Sequence, residues 1–163
     1  MFHFDEKDQQ SIANFILDNL PRHRQLTLGS VDSSGQPWVV CVNLAYDEDL
    51  NLIWKSLEAS EHSKNVRADS RVSICIFSQT TNHGDFGFYT KAVAHEVAAE
   101  DELRRCLEAR SKKGEPLPDL AKFLPPSTVR LYCAEIKEAW IIDDRHLKTQ
   151  VDLTVLRTEA KKR

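Results

Sequence analysis

An α+β domain built around a small, mostly antiparallel β-barrel is the fold this 163-residue chain predicts. Six or so short segments alternate apolar and polar residues with a period of two, and compact turn sequences separate them. Amphipathic helical stretches are inserted between those segments, which gives the α+β character. The length suits one domain over 1–163, enough to bury roughly two-thirds of its unfolded surface.

Residues 5–19 place Ile12, Phe15, Ile16 and Leu20 on one helical face, with acids in the first turn, Asp5 as the expected cap and Pro21 as the stop. Residues 25–32 alternate as a strand, Ser33-Ser34-Gly35 form a turn, and residues 37–46 return as a second strand. Asp47-Glu48-Asp49 then turn the chain into a third strand over 50–57. Its alternation puts Leu50, Leu52, Trp54 and Ser56 on one side and Asn51, Ile53, Lys55 and Leu57 on the other. Ser60 is a good N-cap for a short helix over 61–68. Residues 71–78 read as a nearly unbroken apolar strand buried on both faces.

A polar loop over 80–84 precedes a long alternating strand over 86–97. The spacing of Leu103, Cys106, Leu107 and Ala109 predicts an amphipathic helix over 99–113, ended by Gly114. A short helix is expected in 115–126, then strands over 128–137 and 139–143. Partial alternation of Val151, Leu153 and Val155 suggests a terminal strand over 147–156.

Composition excludes several function classes. With 22 basic against 25 acidic residues and a net charge of −3, the chain lacks the basic face that nucleic acid or an anionic membrane requires. No segment approaches the roughly 20 apolar residues that span a bilayer. The acidic, polar start MFHFDEKDQQ is not the pattern of a signal peptide, so a cytoplasmic protein is expected. Cys41, Cys75, Cys106 and Cys133 show no paired spacing and read as reduced, inert core thiols. The six histidines have no metal-ligand spacing, so no metal is expected. Gly84 and Gly87 make no dinucleotide fingerprint. The acidic runs at 47–49 and 100–102 suit a turn and a helix start.

Residues 35–77 carry the chemistry. Two apolar strands run into Ser56, Ser60, His62, Ser63 and Lys64, and hydroxyls with a cation just past a strand end form an anion site suited to a phosphate-bearing ligand. Lys64 is the expected counter-charge, with a solvated surface lysine as the plain alternative. His62 either donates to the phosphate, which would raise its pKa, or lines the helix entrance. Trp54 either covers the ligand or packs in the core, and Trp38 and Trp140 carry the same two readings.

This order of elements resembles the FMN-binding split-barrel family typified by pyridoxamine 5′-phosphate oxidase. The stretches LTLGSVDSSGQPWVVCVNLAYDEDLNLIWKS, SEHSKNVRADSRVSICIF and GDFGFYTKAVAHEV carry the likeness, which spans about 20–143. The resemblance implies a homodimer with FMN at the interface and a small-molecule substrate. Val39, Val40, Cys41, Val42 and Asn43 would offer backbone groups to the ring edge. Trp54, Lys55 and Ser56 would lie beside the ribityl chain and phosphate. Ser60, His62, Ser63 and Lys64 would form the phosphate pocket, and Trp140 would lie near the flavin of the partner subunit. The family's two strand-two cations fall near Val40 and Ala45 here, its loop cations are replaced by Glu61 and His62, and Arg145-His146 only approaches its C-terminal motif. The vitamin-forming activity itself is therefore not expected. The expectation is an FMN-dependent oxidoreductase; a non-catalytic flavin, haem or deazaflavin carrier and a cofactor-less dimeric barrel remain as alternatives.

Overall fold

The computed structural model describes residues 4–80, 84–114, 116–142 and 147–163. Helix α1 (Gln9–Asn19) leads through a one-turn 3-10 segment into β1 (Gln25–Val31), β2 (Pro37–Asn43), the two-residue β3 (Ala45–Tyr46) and β4 (Leu52–Leu57). Helix α2 (Glu61–Ala68), β5 (Arg71–Thr80), β6 (Gly84–Glu96) and α3 (Glu100–Lys112) follow, then β7 (Val129–Ile142), β8 (Lys148–Gln150) and α4 (Leu153–Ala160).

Every strand pairing is antiparallel, in the order β2-β1-β5-β6-β7-β4-β3 with β8 added to β7. The sheet curls until β2 and β4 approach without pairing, and this seam is where the barrel is split. The inner face of the sheet, with Leu26, Leu28, Leu52, Trp54, Ile74, Phe88 and Ile141, closes on α1 and on Val151 and Leu156 of the C-terminal segment to form the main core. A second, smaller core lies on the outer face, where α3 brings Leu103, Cys106 and Leu107 onto Ile53, Leu131 and Cys133.

The structure corrects the sequence reading at several points. The cap of α1 is Asp8, whose carboxylate accepts from Ser11 N at 3.0 Å, while Asp5 closes the preceding turn through Lys7 N. The strand expected over 37–46 breaks at Leu44, whose N–H turns to Arg24 O. Leu50 is not in β4 but in the turn, with φ 60°. The two strands expected over 128–143 are one, β7. The break read at Glu138 is a bulge: the register to β6 slips between Lys91 and Ala92, opposite Lys137. In place of a terminal strand over 147–156, β8 is three residues long, and Asp152 caps α4 by accepting from Thr154 N and Val155 N.

The strand read as buried on both faces is buried on one. Along β5, Val72, Ile74 and Ile76 point inward, while Ser73 and Phe77 are exposed on the outer face. Cys41 is likewise exposed and Cys75 half-buried on that face, so neither is a core thiol; Cys106 and Cys133 are. His3, His83, Arg145, His146 and most of the loop at 80–84 lie outside the described residues.

Candidate functional site

Strand β4 ends at Leu57, the chain turns through Ser60, and α2 starts with its first turn against the inner end of the strand. Ser56 points inward by alternation and meets His62 from the helix, with Ser56 Oγ 2.6 Å from His62 Nε2. Ser60 Oγ lies 3.2 Å from the same nitrogen and 2.8 Å from Ser63 Oγ. His62 and Ser63 are buried because they lie on the face of α2 turned to the barrel. Four of the expected phosphate residues thus converge: Ser56, Ser60, His62 and Ser63.

Ser60 holds the N-cap position without capping. Its hydroxyl lies 2.8 Å from Leu57 O and turns to the cluster, so it accepts from none of the first-turn amides of α2, of which Ser63 N donates to Ser60 O at 3.1 Å. Those amides carry the positive end of the helix dipole, which is where an anion is held. Burial pushes the His62 pKa below its ordinary value. An anion seated here would act in the opposite direction. Asn65, one turn further along α2, is also buried and donates to Ser30 Oγ of β1 at 3.1 Å, fixing the helix across the seam.

Behind the serines lies a charged network that sequence reading missed. Arg130 of β7, opposite Ser56 in the ladder, is buried and pairs with Glu58 at 2.6 Å and Glu96 at 3.2 Å. Arg67 of α2 reaches Glu96 at 3.0 Å and donates to Glu58 O at 2.6 Å, and Tyr132 OH donates to Glu96 at 3.3 Å. The signal was a lone arginine at an inward position in TVRLYCAEI. Its charge is already met by two carboxylates, so it ties the segment before α2 to β6 more than it supplies a free cation.

Other expected residues are placed elsewhere. Lys64 is the next residue round the helix from Ser63, about 100° away; its side chain is exposed and its Nζ lies 3.6 Å from Glu61. Lys55 points outward from β4 and is exposed. Trp54 takes the core reading: it is fully buried, its ring stacks on Tyr132 at 5.6 Å, and its Nε1 is sealed in without a hydrogen-bond partner among the described residues. Trp140 sits on the outer face of β7, its ring 5.2 Å from Lys91 Nζ. It is ten residues along the strand from Arg130, about 33 Å of extended chain, so it does not meet the serine cluster within one subunit.

Val39, Cys41 and Asn43 point to the outer face of β2, and Trp38, Val40 and Val42 to the inner one. As the last strand of the sheet, β2 leaves one edge of backbone N–H and C=O groups unpaired at the seam. Among the described residues, no helix packs on the outer face from β2 across β1, β5 and β6 to the end of β7. Val39 is 64% exposed and Phe77 52%. Two shallow clefts of about 640 and 330 Å³ lie on this face over Gly29 and Ser73, bounded by Val39, Lys91 and Trp140.

A family model described as pyridoxamine 5′-phosphate oxidase matches residues 12–140. No curated protein sequence matches the chain. Among solved structures, the heme binding protein from Mycobacterium smegmatis is similar over 97% of this chain, with a TM-score of 0.68 and 13% identity; the chain spans 62% of that protein. The conserved hypothetical protein Rv2991 from Mycobacterium tuberculosis is similar over 88% of both chains, with a TM-score of 0.66 and 20% identity. HutZ, the heme storage protein from Vibrio cholerae, is similar over 74% of this chain and 87% of its own, with a TM-score of 0.61 and 20% identity. At such identities the likeness is one of fold.

Proposed function

The chain belongs to the pyridoxamine 5′-phosphate oxidase family, and from that premise we propose that it is an FMN-binding oxidoreductase acting on a small organic molecule as a homodimer. The observation that carries this reading is the convergence of Ser56, Ser60, His62 and Ser63 at the uncapped N-terminus of α2. Hydroxyl, imidazole and amide donors suit a phosphate, although without a free arginine the grip is weaker than in a cation-rich pocket. Lys64 adds charge once it leaves Glu61. The open backbone edge of β2, from Val39 to Asn43, offers donors and acceptors to the polar rim of the ring. FMN, when bound, supplies the hydride and electron chemistry, so the chain needs no acid–base pair of its own.

The homodimer reading rests on the outer sheet face. A strand apolar enough to read as buried on both sides exposes Phe77 on this face, and Val39 of β2 is exposed on the same face. We read this open face as the surface that a second copy would cover. A second copy laid on it would bring its Trp140 towards the serine cluster, which Trp140 does not meet within one subunit.

Titration with FMN, followed by visible absorbance and flavin fluorescence, tests the proposal. Saturation at about tens of micromolar or below is expected, with Ser63→Ala weakening it by at least about tenfold. Bleaching of the bound flavin by reduced nicotinamide, with recovery in air, would identify turnover. No flavin binding, with a Soret band appearing on addition of haem instead, would overturn the flavin reading in favour of a haem carrier.

A further inference from the structure

Away from the α2 cluster, α1, α3, α4 and the turn before β4 enclose a cleft of about 380 Å³, within the range of small-molecule sites. Its walls are apolar: Leu17, Tyr46, Leu50, Ala109 and Ala160. Lys113 enters this cleft half-buried at the C-terminal end of α3. Its Nζ lies 4.6 Å from the centre of the Tyr46 ring and donates, at 3.3 and 3.4 Å, to the carbonyls of Pro21 and His23. All three contacts are to neutral groups, and the two hydrogen bonds are long.

A lysine partly withdrawn from water is more often matched by a carboxylate. The neighbouring cations, which are exposed, each have a carboxylate partner: Lys112 pairs with Glu48 at 3.0 Å, Lys161 with Asp49 at 2.7 Å and Arg163 with Asp18 at 2.7 Å. Lys113 has no such partner among the described residues. Burial and the nearby Arg24 together push its pKa down, as they would for a cation short of counter-charge. The acids at the rim are engaged. Asp47 accepts from the N–H groups of Asp49 and Asn51 and from Asn51 Nδ2, and Glu48 is held by Lys112. Arg163 also lines the cleft and adds a second positive field beside Tyr46.

We infer that this cleft is a second ligand site, for a small monocarboxylate with an aliphatic or single-ring aromatic body. The carboxylate would supply the counter-ion that Lys113 lacks, and the body would lie against Leu17, Leu50 and Ala160. The site shares no residue with the serine cluster and does not depend on the flavin reading.

Calorimetric titration of the full chain with octanoate and benzoate, with octan-1-ol as the uncharged control, tests the assignment. At least one carboxylate is expected to bind saturably with a dissociation constant of about 1 mM or below, and octan-1-ol at least about tenfold more weakly. Lys113→Met is expected to weaken carboxylate binding by a similar factor, and Ala160→Leu, which fills the cleft without touching the lysine, to block it. Titrations with and without FMN should agree. Absence of saturable binding of both carboxylates at about 10 mM, equal binding of the alcohol, undiminished binding by both variants, or competition by FMN would each overturn the assignment.

Discussion

The outer face of the sheet has two halves that differ in what covers them. Over β4 and the first half of β7, α3 seals Ile53, Leu131 and Cys133, which are buried. Over β2, β1, β5 and β6, residues of similar apolar character, Val39, Cys41, Cys75 and Phe77, stand exposed or half-exposed. One sheet and one alternation pattern serve both. A 13-residue helix covers the first half and, among the described residues, no helix covers the second. Apolar strand positions report what must be covered, not which molecule covers them; for the open half the proposed cover is a second copy.

The largest expected effect is on the sealed side. Ile53→Ala should lower unfolding free energy by about 2–5 kcal/mol in urea denaturation, whereas Val39→Ala should change the stability of the isolated subunit by no more than about 0.5 kcal/mol. A large loss at Val39 in dilute, monomeric protein would break the contrast. Next, Val39→Arg should leave the fold intact but raise a dimer dissociation constant by at least about tenfold, or ~1.4 kcal/mol, read by sedimentation equilibrium.

Smaller effects belong to the seam. Ser63→Ala removes a buried hydroxyl tied to Ser60 and should cost about 1 kcal/mol in stability besides its effect on flavin. His62 sharpens the picture through pH. A histidine held below its ordinary 6.5 binds fewer protons folded than unfolded, so its contribution is complete above about pH 6.5 and is lost as pH falls from there through the folded pKa. His62→Gln should flatten stability in that window, leaving the share of His23, which burial also holds low. The smallest change is expected for Lys64→Ala, within about 0.5 kcal/mol, since its pair with Glu61 is exposed.

Strands β1, β4 and β6 and helix α3 were legible because alternation or helical spacing was long, β5 because its run is apolar, and α2 because Ser60 marks its start. What stayed hidden was tertiary. A bulge at Lys137 looks in sequence like a break, because both put polar residues in mid-strand. Helix α4 is eight residues long, and over Val151, Leu153 and Val155 a period of two fits as well as a helix; only the Asp152 cap distinguishes them. Within the site, Ser56, Ser60, His62 and Ser63 were found because they are near in sequence. Arg130 was not, since its partnership with Glu58 and Glu96 exists only after β4, β6 and β7 align. Whether Trp54 faced ligand or core depended on Tyr132, 78 positions away, against which it stacks.

The most direct test of the central claim is sedimentation velocity of the purified chain with FMN, recorded in both the protein and the flavin absorbance bands. The account expects flavin to travel with a dimer, one per subunit, and both signals to be lost together in Val39→Arg. A monomer that carries FMN with undiminished affinity would contradict it.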